Sequence, residues 1–107
     1  MSTATQGRRR EYHVRDTLEA AGWPFIMRAA ASKGPGDLLH GHPERGGLLV
    51  QVGTPSKALG PADRDRFVTA ADNICAIPVL AVVHRGGAVT CWHVTRDRPA
   101  SWDPFIP

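Results

Sequence analysis

Three polar residues stand in or beside apolar segments and carry groups that acid–base or metal chemistry uses. Glu11 lies in a segment of helical periodicity, at the edge of its apolar face, and its carboxylate needs a cation, a metal ion or hydrogen-bond donors as a partner. Asp37 follows the turn-forming stretch "SKGPG" and begins the run "DLL", from which its side chain can face a cleft. Gln51 interrupts the run "LLVQV", so its amide must be hydrogen-bonded or face a groove.

Each of these residues also has an ordinary structural interpretation. Glu11 is close enough in sequence to pair with Arg8 or Arg15, and Asp37 alone is a common turn residue. Strand alternation puts Gln51 on one face and its neighbours Val50 and Val52 on the other. The spacing by itself therefore leaves both interpretations open.

A zinc site is a further alternative, because "HGH" and "CWH" each place two ligand-type residues on one face of a strand. Structural zinc sites usually have tighter, repeated spacings such as C-x₂-C, which disfavours this interpretation. The four residues concerned are His40, His42, Cys91 and His93.

Composition predicts a single globular domain inside the cell. The chain has 107 residues, of which 42% are hydrophobic, a size and content that support one core. It contains no apolar run long enough to cross a membrane, and its charged N-terminus is not followed by the apolar segment of a secretory signal. Two cysteines are too few to predict a disulfide scaffold, so we expect free thiols and a cytoplasmic protein. The net charge of +3 permits nucleic acid as a partner without requiring it.

Periodicity and turn residues predict an element order of α, β, β, β, α, β, β, which is an α/β fold with a mixed sheet flanked by helices. Gly22 ends the first helix, "HPERG" joins two strands as a hairpin, and Pro61 begins the second helix. The predicted ranges are helix 8–21, strand 23–31, strand 37–41, strand 47–52, helix 61–75, strand 77–85 and strand 88–95. A flexible arm is expected over 1–7 and an irregular tail over 96–107.

This ordered set of motifs resembles the archaeal-type Holliday junction resolvases of the PD-(D/E)xK nuclease superfamily. The segments that carry the resemblance are "EYHVRDTLEAAGW", "RAAASKGPGDLL" and "IPVLAVVHRGG", within a stretch from about Arg8 to Thr95. The resemblance implies a restriction-endonuclease-like fold and a homodimeric endonuclease that uses Mg²⁺, or Mn²⁺ in its place, on branched DNA with four-way junctions.

The resemblance also implies roles for individual residues. Glu11 matches the acid of the first helix, Asp37 the metal-binding aspartate, and Ser32 a loop serine associated with catalysis. Gln51 stands where the family has Glu or Gln, and the backbone carbonyl of Val52 is another plausible metal ligand. The metal set implied is thus Glu11, Asp37, Gln51 and Val52.

One position departs from the family pattern. Gly53 stands where the family has a lysine that supplies positive charge to the attacking water or the phosphorane. Lys57, four residues further on, and Lys33 are the candidates to replace it. The alternative is a nuclease-fold protein that binds branched DNA without cutting it, and the sequence also leaves open whether Gly53 is an introduced change.

A basic track is the expected DNA-binding surface. On a resolvase-like dimer the N-terminus of the first helix lies near the DNA, where arginines and lysines would contact phosphates and give affinity rather than base reading. The predicted residues are Arg8, Arg9, Arg10, Arg28 and Lys33. The tail residues Trp102, Phe105 and Ile106 are expected to pack on the domain or on a second copy.

Overall fold

The computed structural model describes residues 3–28, 36–55 and 59–107. Within these ranges the chain forms two helices, five strands and one short 3₁₀ turn. The helices are α1 (Thr3–Ala20) and α2 (Pro61–Asn73), and the 3₁₀ turn is Pro99–Ser101. The strands are β1 (Phe25–Arg28), β2 (Leu38–His42), β3 (Gly46–Gly53), β4 (Ala76–Val83) and β5 (Val89–His93).

The strands form one mixed sheet in the order β1-β2-β3-β4-β5. Strands β3 and β4 are parallel because α2 connects them, and the other neighbours are antiparallel. The element order and the α/β class predicted from the sequence are therefore confirmed. No helix in the described part of the chain has the length and apolar character that a bilayer crossing requires.

The first helix differs from its predicted range. It begins at Thr3, so residues 3–7 are helical where the sequence predicts a flexible arm. The helix continues through Gly7, since one glycine costs a helix only about 1 kcal/mol relative to alanine. The first strand is described as far as Arg28, and the rest of its predicted range, 29–31, lies outside the described residues.

Side chains alternate across the sheet and bury two hydrophobic clusters, one under each helix. Leu48 and Val50 of β3 face α1, where Val14 and Leu18 are fully buried. Leu49 faces α2 and packs in the cluster with Phe67. This is the face alternation predicted for β3, and it puts Gly53 in register with Leu49 and Gln51 rather than with Val50.

The C-terminal tail packs on its own domain. Trp102 is 6% exposed in the cluster under α2, and the ring centroid of Phe105 lies 5.9 Å from that of Trp23. The backbone of the tail pairs with β5, where the Phe105 N–H donates to the Cys91 carbonyl at 2.8 Å. The tail residues that suggested a second copy therefore bury much of their apolar surface within the chain, and Ile106 remains 77% exposed.

The two thiols provide a direct check on this packing. Cys91 is 7% exposed and burial raises its pKa to about 11, whereas Cys75 is exposed. Because the thiolate is the reactive form, we expect a thiol reagent at pH 8 to modify Cys75 within minutes and to leave Cys91 unmodified in the folded protein. In urea both should react. Mass spectrometry measures the modification of each thiol. Rapid modification of both thiols under native conditions would contradict the placement of β5.

Candidate functional site

Asp37 is fixed at the start of β2 by the turn before it. Its N–H donates to the Val50 carbonyl at 2.7 Å, which joins it to β3. Gly36 has a φ of 90°, and a Cβ built there would lie 2.8 Å from the Cδ1 atom of Leu49. Only glycine fits this turn without strain, so the residue before Asp37 sets the direction in which the carboxylate points.

The Asp37 carboxylate is held by two donors from β3. Its Oδ2 atom accepts hydrogen bonds from the Val52 N–H at 2.8 Å and from Nε2 of Gln51 at 3.0 Å. The Gln51 Oε1 atom accepts from the Gly36 N–H at 3.2 Å. Since a carbonyl oxygen must face that N–H, the Gln51 amide turns its NH₂ group toward Asp37. In this conformation Gln51 acts as a donor to the aspartate, and its role as a metal ligand remains a prediction.

The electrostatic surroundings of Asp37 disfavour its charged form. Burial raises the pKa of Asp37, the hydrogen bond from Val52 opposes that rise, and the nearby charge of Glu11 adds to it. The positive charge of Arg28 partly offsets these effects. The carboxylate is therefore incompletely neutralised by the described protein groups, a condition that favours binding of a cation.

Glu11 forms an ion pair with Arg28 of β1, with 2.8 Å between Oε1 and Nε. The Glu11 side chain is only 14% exposed, and this pairing raises the pKa of Arg28. The structural interpretation of Glu11 as a partner of Arg8 or Arg15 is wrong, because Arg15 pairs with Asp16 and Glu19 instead. Sequence spacing favours partners one helical turn away, whereas the fold brings the strand residue Arg28 to the helix.

One cavity of about 190 Å³ joins these groups. Glu11 enters it from α1, Asp37 from β2, and Gln51 from β3. The complete lining is Gly7, Arg10, Glu11, Asp37, Gln51, Val52, Gly53 and Thr54. The fold thus brings together four predicted catalytic or metal-binding residues, Glu11, Asp37, Gln51 and Val52, and adds Arg10 from the predicted DNA-binding set.

Three predicted residues cannot be placed relative to this cavity. Ser32, Lys33 and Lys57 lie outside the described residues. Arg8 and Arg9 are exposed on α1, as a phosphate-binding surface requires. The contribution of Gly7 to the cavity was not predicted, although its i, i+3 and i+4 spacing with Arg10 and Glu11 places all three on one helix face.

The alternative zinc residues do not come together. His40 is fully buried and its Nδ1 atom lies 2.8 Å from the Trp23 carbonyl oxygen, while His42 packs its ring against Trp23. Both lie on β2, which β3 and β4 separate from Cys91 and His93 on β5. Within the ranges that the structure describes, no group of three or more histidine, cysteine or acidic residues is arranged to hold a metal ion.

The donor set of the cavity fits a hard divalent cation with part of its hydration shell retained. Glu11 and Asp37 supply two carboxylates. Burial, and to a smaller extent the charge of Glu11, raises the pKa of Asp37, and a bound cation would offset both effects. Magnesium sites commonly use one or two carboxylates, with water and substrate phosphate as the other ligands. The remaining oxygens predicted for this role belong to Gln51 and the Val52 backbone.

Comparison with known proteins relates the chain to solved structures by its fold. No family model matches the chain, and no curated protein matches it in sequence. Its fold is similar to the solved structure of Archaeoglobus fulgidus Hjc, a Holliday junction resolvase from an archaeal hyperthermophile, with a TM-score of 0.67 and 24% sequence identity. The match covers 80% of this chain and 70% of Hjc. At this identity the comparison shows the fold alone, and that fold is the one that the sequence resemblance implied.

Proposed function

We propose that this protein is a structure-selective endonuclease that hydrolyses phosphodiester bonds in four-way DNA junctions, with Mg²⁺ or Mn²⁺ held by Glu11 and Asp37. The observation that carries the proposal is the convergence of these two carboxylates on one cavity from α1 and β2. The likeness in fold to a Holliday junction resolvase supports the choice of substrate class. A fold alone does not establish function, so the proposal depends on the site.

The protein groups of the site have separable tasks. When bound, the metal ion supplies charge neutralisation at the scissile phosphate and a more acidic water. The Val52 N–H and the Gln51 amide hold the Asp37 carboxylate in a fixed orientation. Arg28 holds Glu11 at the cavity wall through a charge-assisted hydrogen bond. We also assign Ser32, five residues before Asp37 in the sequence, a role at the scissile phosphate.

Binding of the junction is assigned to the basic surface at the start of α1. Arg8 and Arg9 are exposed, and Arg28 is 48% exposed in its side chain beside the cavity. Together with Lys33, these side chains would contact phosphates around the scissile bond. Such contacts read shape and backbone position rather than base identity, as an enzyme selecting branched DNA requires. Cleavage of two strands across one junction requires two sites, so we propose that the protein acts as a homodimer.

A second candidate is a protein of the same fold that binds junctions without cutting them. Two observations favour it: Gly53 brings no charge to the cavity, and the Gln51 amide already satisfies Asp37 as a donor. Under this alternative the basic surface still binds DNA, and the carboxylates of Glu11 and Asp37 have no catalytic role. Cleavage assays separate the two candidates.

The test is cleavage of a synthetic four-way junction with Mg²⁺ and with Mn²⁺, beside a linear duplex of the same sequence. Paired nicks in the junction, absent from the duplex and stopped by EDTA, are the expected result. Tight junction binding without nicks would support the second candidate. If the protein neither binds nor cleaves the junction, both candidates are refuted.

Replacement of Gln51 by glutamate is expected to convert the site into a stronger metal site at a cost in metal-free stability. The new carboxylate would lie about 3 Å from that of Asp37, in the place of the present hydrogen bond. Like charges at this separation raise each other's pKa, and the lost donor costs roughly 1–3 kcal/mol of unfolding free energy. Because a third acid adds ligand charge, Mg²⁺ affinity should rise at least about tenfold.

Calorimetric titration with Mg²⁺ and urea denaturation in EDTA measure the two effects. Gln51→Met is the matched control, since it removes the amide without adding charge and should gain no metal affinity. An unchanged affinity in Gln51→Glu would show that position 51 does not face the metal.

A further inference from the structure

We propose that Arg10 is a catalytic residue of this site, whose guanidinium contacts the scissile phosphate and supplies the positive charge that Gly53 does not. The inference rests on the proposed nuclease function and adds a residue to its machinery. Arg10 is assigned here a role in the chemical step, beyond the general phosphate binding expected of the basic run.

The helix α1 places Arg10 at the cavity that contains the carboxylates of Glu11 and Asp37. Arg10 and Glu11 both line the cavity that contains Asp37, and Gly7, one turn before Arg10, lines it as well. A Cβ built at Gly7 would meet no atom within 4 Å, so the space along this face of α1 is open. Arg10 therefore stands on the part of α1 that borders the cavity.

Arg10 also differs from Arg15 and Arg28 in having no ion-pair partner among the described residues. Arg15 pairs with Asp16 and Glu19 on the same helix, and Arg28 is engaged by Glu11. Within the described ranges, Arg10 has neither a carboxylate partner nor a hydrogen bond, although it is only partly exposed. Its guanidinium is therefore available to a ligand, and a phosphate has the geometry that matches it.

Gly53 leaves space in the cavity that Arg10 also lines. Gly53 lines the same cavity, and a Cβ there would touch only the Cδ1 atom of Leu80, at 3.4 Å. The absence of a side chain at Gly53 thus leaves room in the cavity without any backbone necessity for glycine. Arg10 is the one cationic side chain on the described lining of this cavity, so it is the group there that can supply a positive charge.

The chemistry needs no covalent change in the arginine. The oxygen of the attacking water bonds to phosphorus, and the water gives up one proton to the solvent. The bond from phosphorus to one ester oxygen breaks, and that oxygen takes a proton from the solvent as it leaves. Arg10 keeps its protons throughout and donates hydrogen bonds to the phosphate oxygens as their charge increases. A preorganised donor of this kind contributes on the order of 10²–10³ in rate.

The experiment is single-turnover cleavage of the junction at saturating protein concentration. Arg10→Ala should reduce the rate on the order of 10²–10³-fold, and Arg10→Lys should restore it to within about tenfold of the wild type. Arg9→Ala removes the same charge from the exposed side of the helix, so its loss should be at least about tenfold smaller. Equal losses in the two alanine variants would overturn the proposal.

Restoring the missing lysine gives a second and independent test. Gly53→Lys should raise the rate by on the order of 10² in the Arg10→Ala background, and by less than about tenfold in the wild type, because the two cations act on one phosphate. Equal gains in both backgrounds would mean that Arg10 and position 53 act separately. A third result would assign the role to Lys57 instead of Arg10. In that case Lys57→Ala would lose as much rate as we expect of Arg10→Ala, and Arg10→Ala would cleave at the wild-type rate.

Binding in EDTA provides a readout that does not depend on turnover. Fluorescence anisotropy with a labelled junction should give Arg10→Ala a dissociation constant about three- to tenfold weaker than the wild type, with a salt slope smaller by about one. An unchanged salt slope would overturn the phosphate contact. If the wild-type protein does not cleave, the proposed function fails; if it cleaves and Arg10→Ala cleaves as well, this inference alone fails.

Discussion

Replacement of Asp37 by asparagine is expected to reduce junction cleavage at least about a hundredfold, because a metal at the scissile phosphate contributes several kcal/mol to transition-state stabilisation. Asparagine has nearly the shape of aspartate and keeps an oxygen for the Val52 N–H. The change therefore removes the charge that holds the cation and retains the local hydrogen bonding. The measurements are the single-turnover rate and the Mg²⁺ affinity from calorimetry.

The stability of the same variant should have a distinctive pH dependence. Because the folded state raises the pKa of Asp37, folded metal-free protein takes up its proton more readily than the unfolded chain does. Wild-type stability should therefore rise, relative to Asp37→Asn, as the pH falls through the raised pKa, and the gain should level off below 3.8, the ordinary value. Urea denaturation of both proteins in EDTA between pH 7 and pH 3 measures the difference.

Two results would contradict this account of Asp37. Cleavage by Asp37→Asn within tenfold of the wild type would remove Asp37 from the metal site. A wild-type stability that falls in parallel with that of the variant would mean that burial does not disfavour the aspartate charge.

Replacement of Trp23 by alanine is expected to destabilise the protein by about 3–5 kcal/mol, a large share of the stability of a domain of this size. Trp23 is fully buried between α1 and β2. Its ring packs on those of His42 and Phe105, at 5.0 and 5.9 Å between centroids, and the guanidinium carbon of Arg45 lies 4.7 Å from its ring centroid. The substitution would leave a cavity that joins the helix, the sheet and the C-terminal tail.

Denaturation in urea, followed by circular dichroism, gives the loss in unfolding free energy. Trp92→Ala is the matched control, because Trp92 is only partly buried on β5 and should lose less than half as much. A loss below about 1.5 kcal/mol in Trp23→Ala would show that the tail and helix do not depend on this ring.

The sequence by itself determined the element order, because periodicity and turn residues are local properties. The hairpin around "HPERG", the helix beginning at Pro61 and the buried run of β4 are all present where these signals place them. Local signals failed at the first helix, where Gly7 and the polar residues before it suggest an arm and the chain is helical from Thr3. A single glycine weakens a helix without ending it.

Most of the candidate site was also available from the sequence. Glu11, Asp37 and Gln51 stood out because each is a polar residue in an apolar context, which buried chemistry requires. The motif order then gave the fold class, and the two-residue alternation of β3 correctly placed Gln51 and Gly53 on one face.

Only the tertiary structure decided which groups meet. The partner of Glu11 is Arg28, 17 residues away, and no spacing rule within the helix selects it. The direction of the Gln51 amide depends on the Gly36 N–H across the β2–β3 pair. Arg10 became distinct from Arg8 and Arg9 only when the helix was placed over the sheet, because identical side chains in one run differ in function only through what each of them faces.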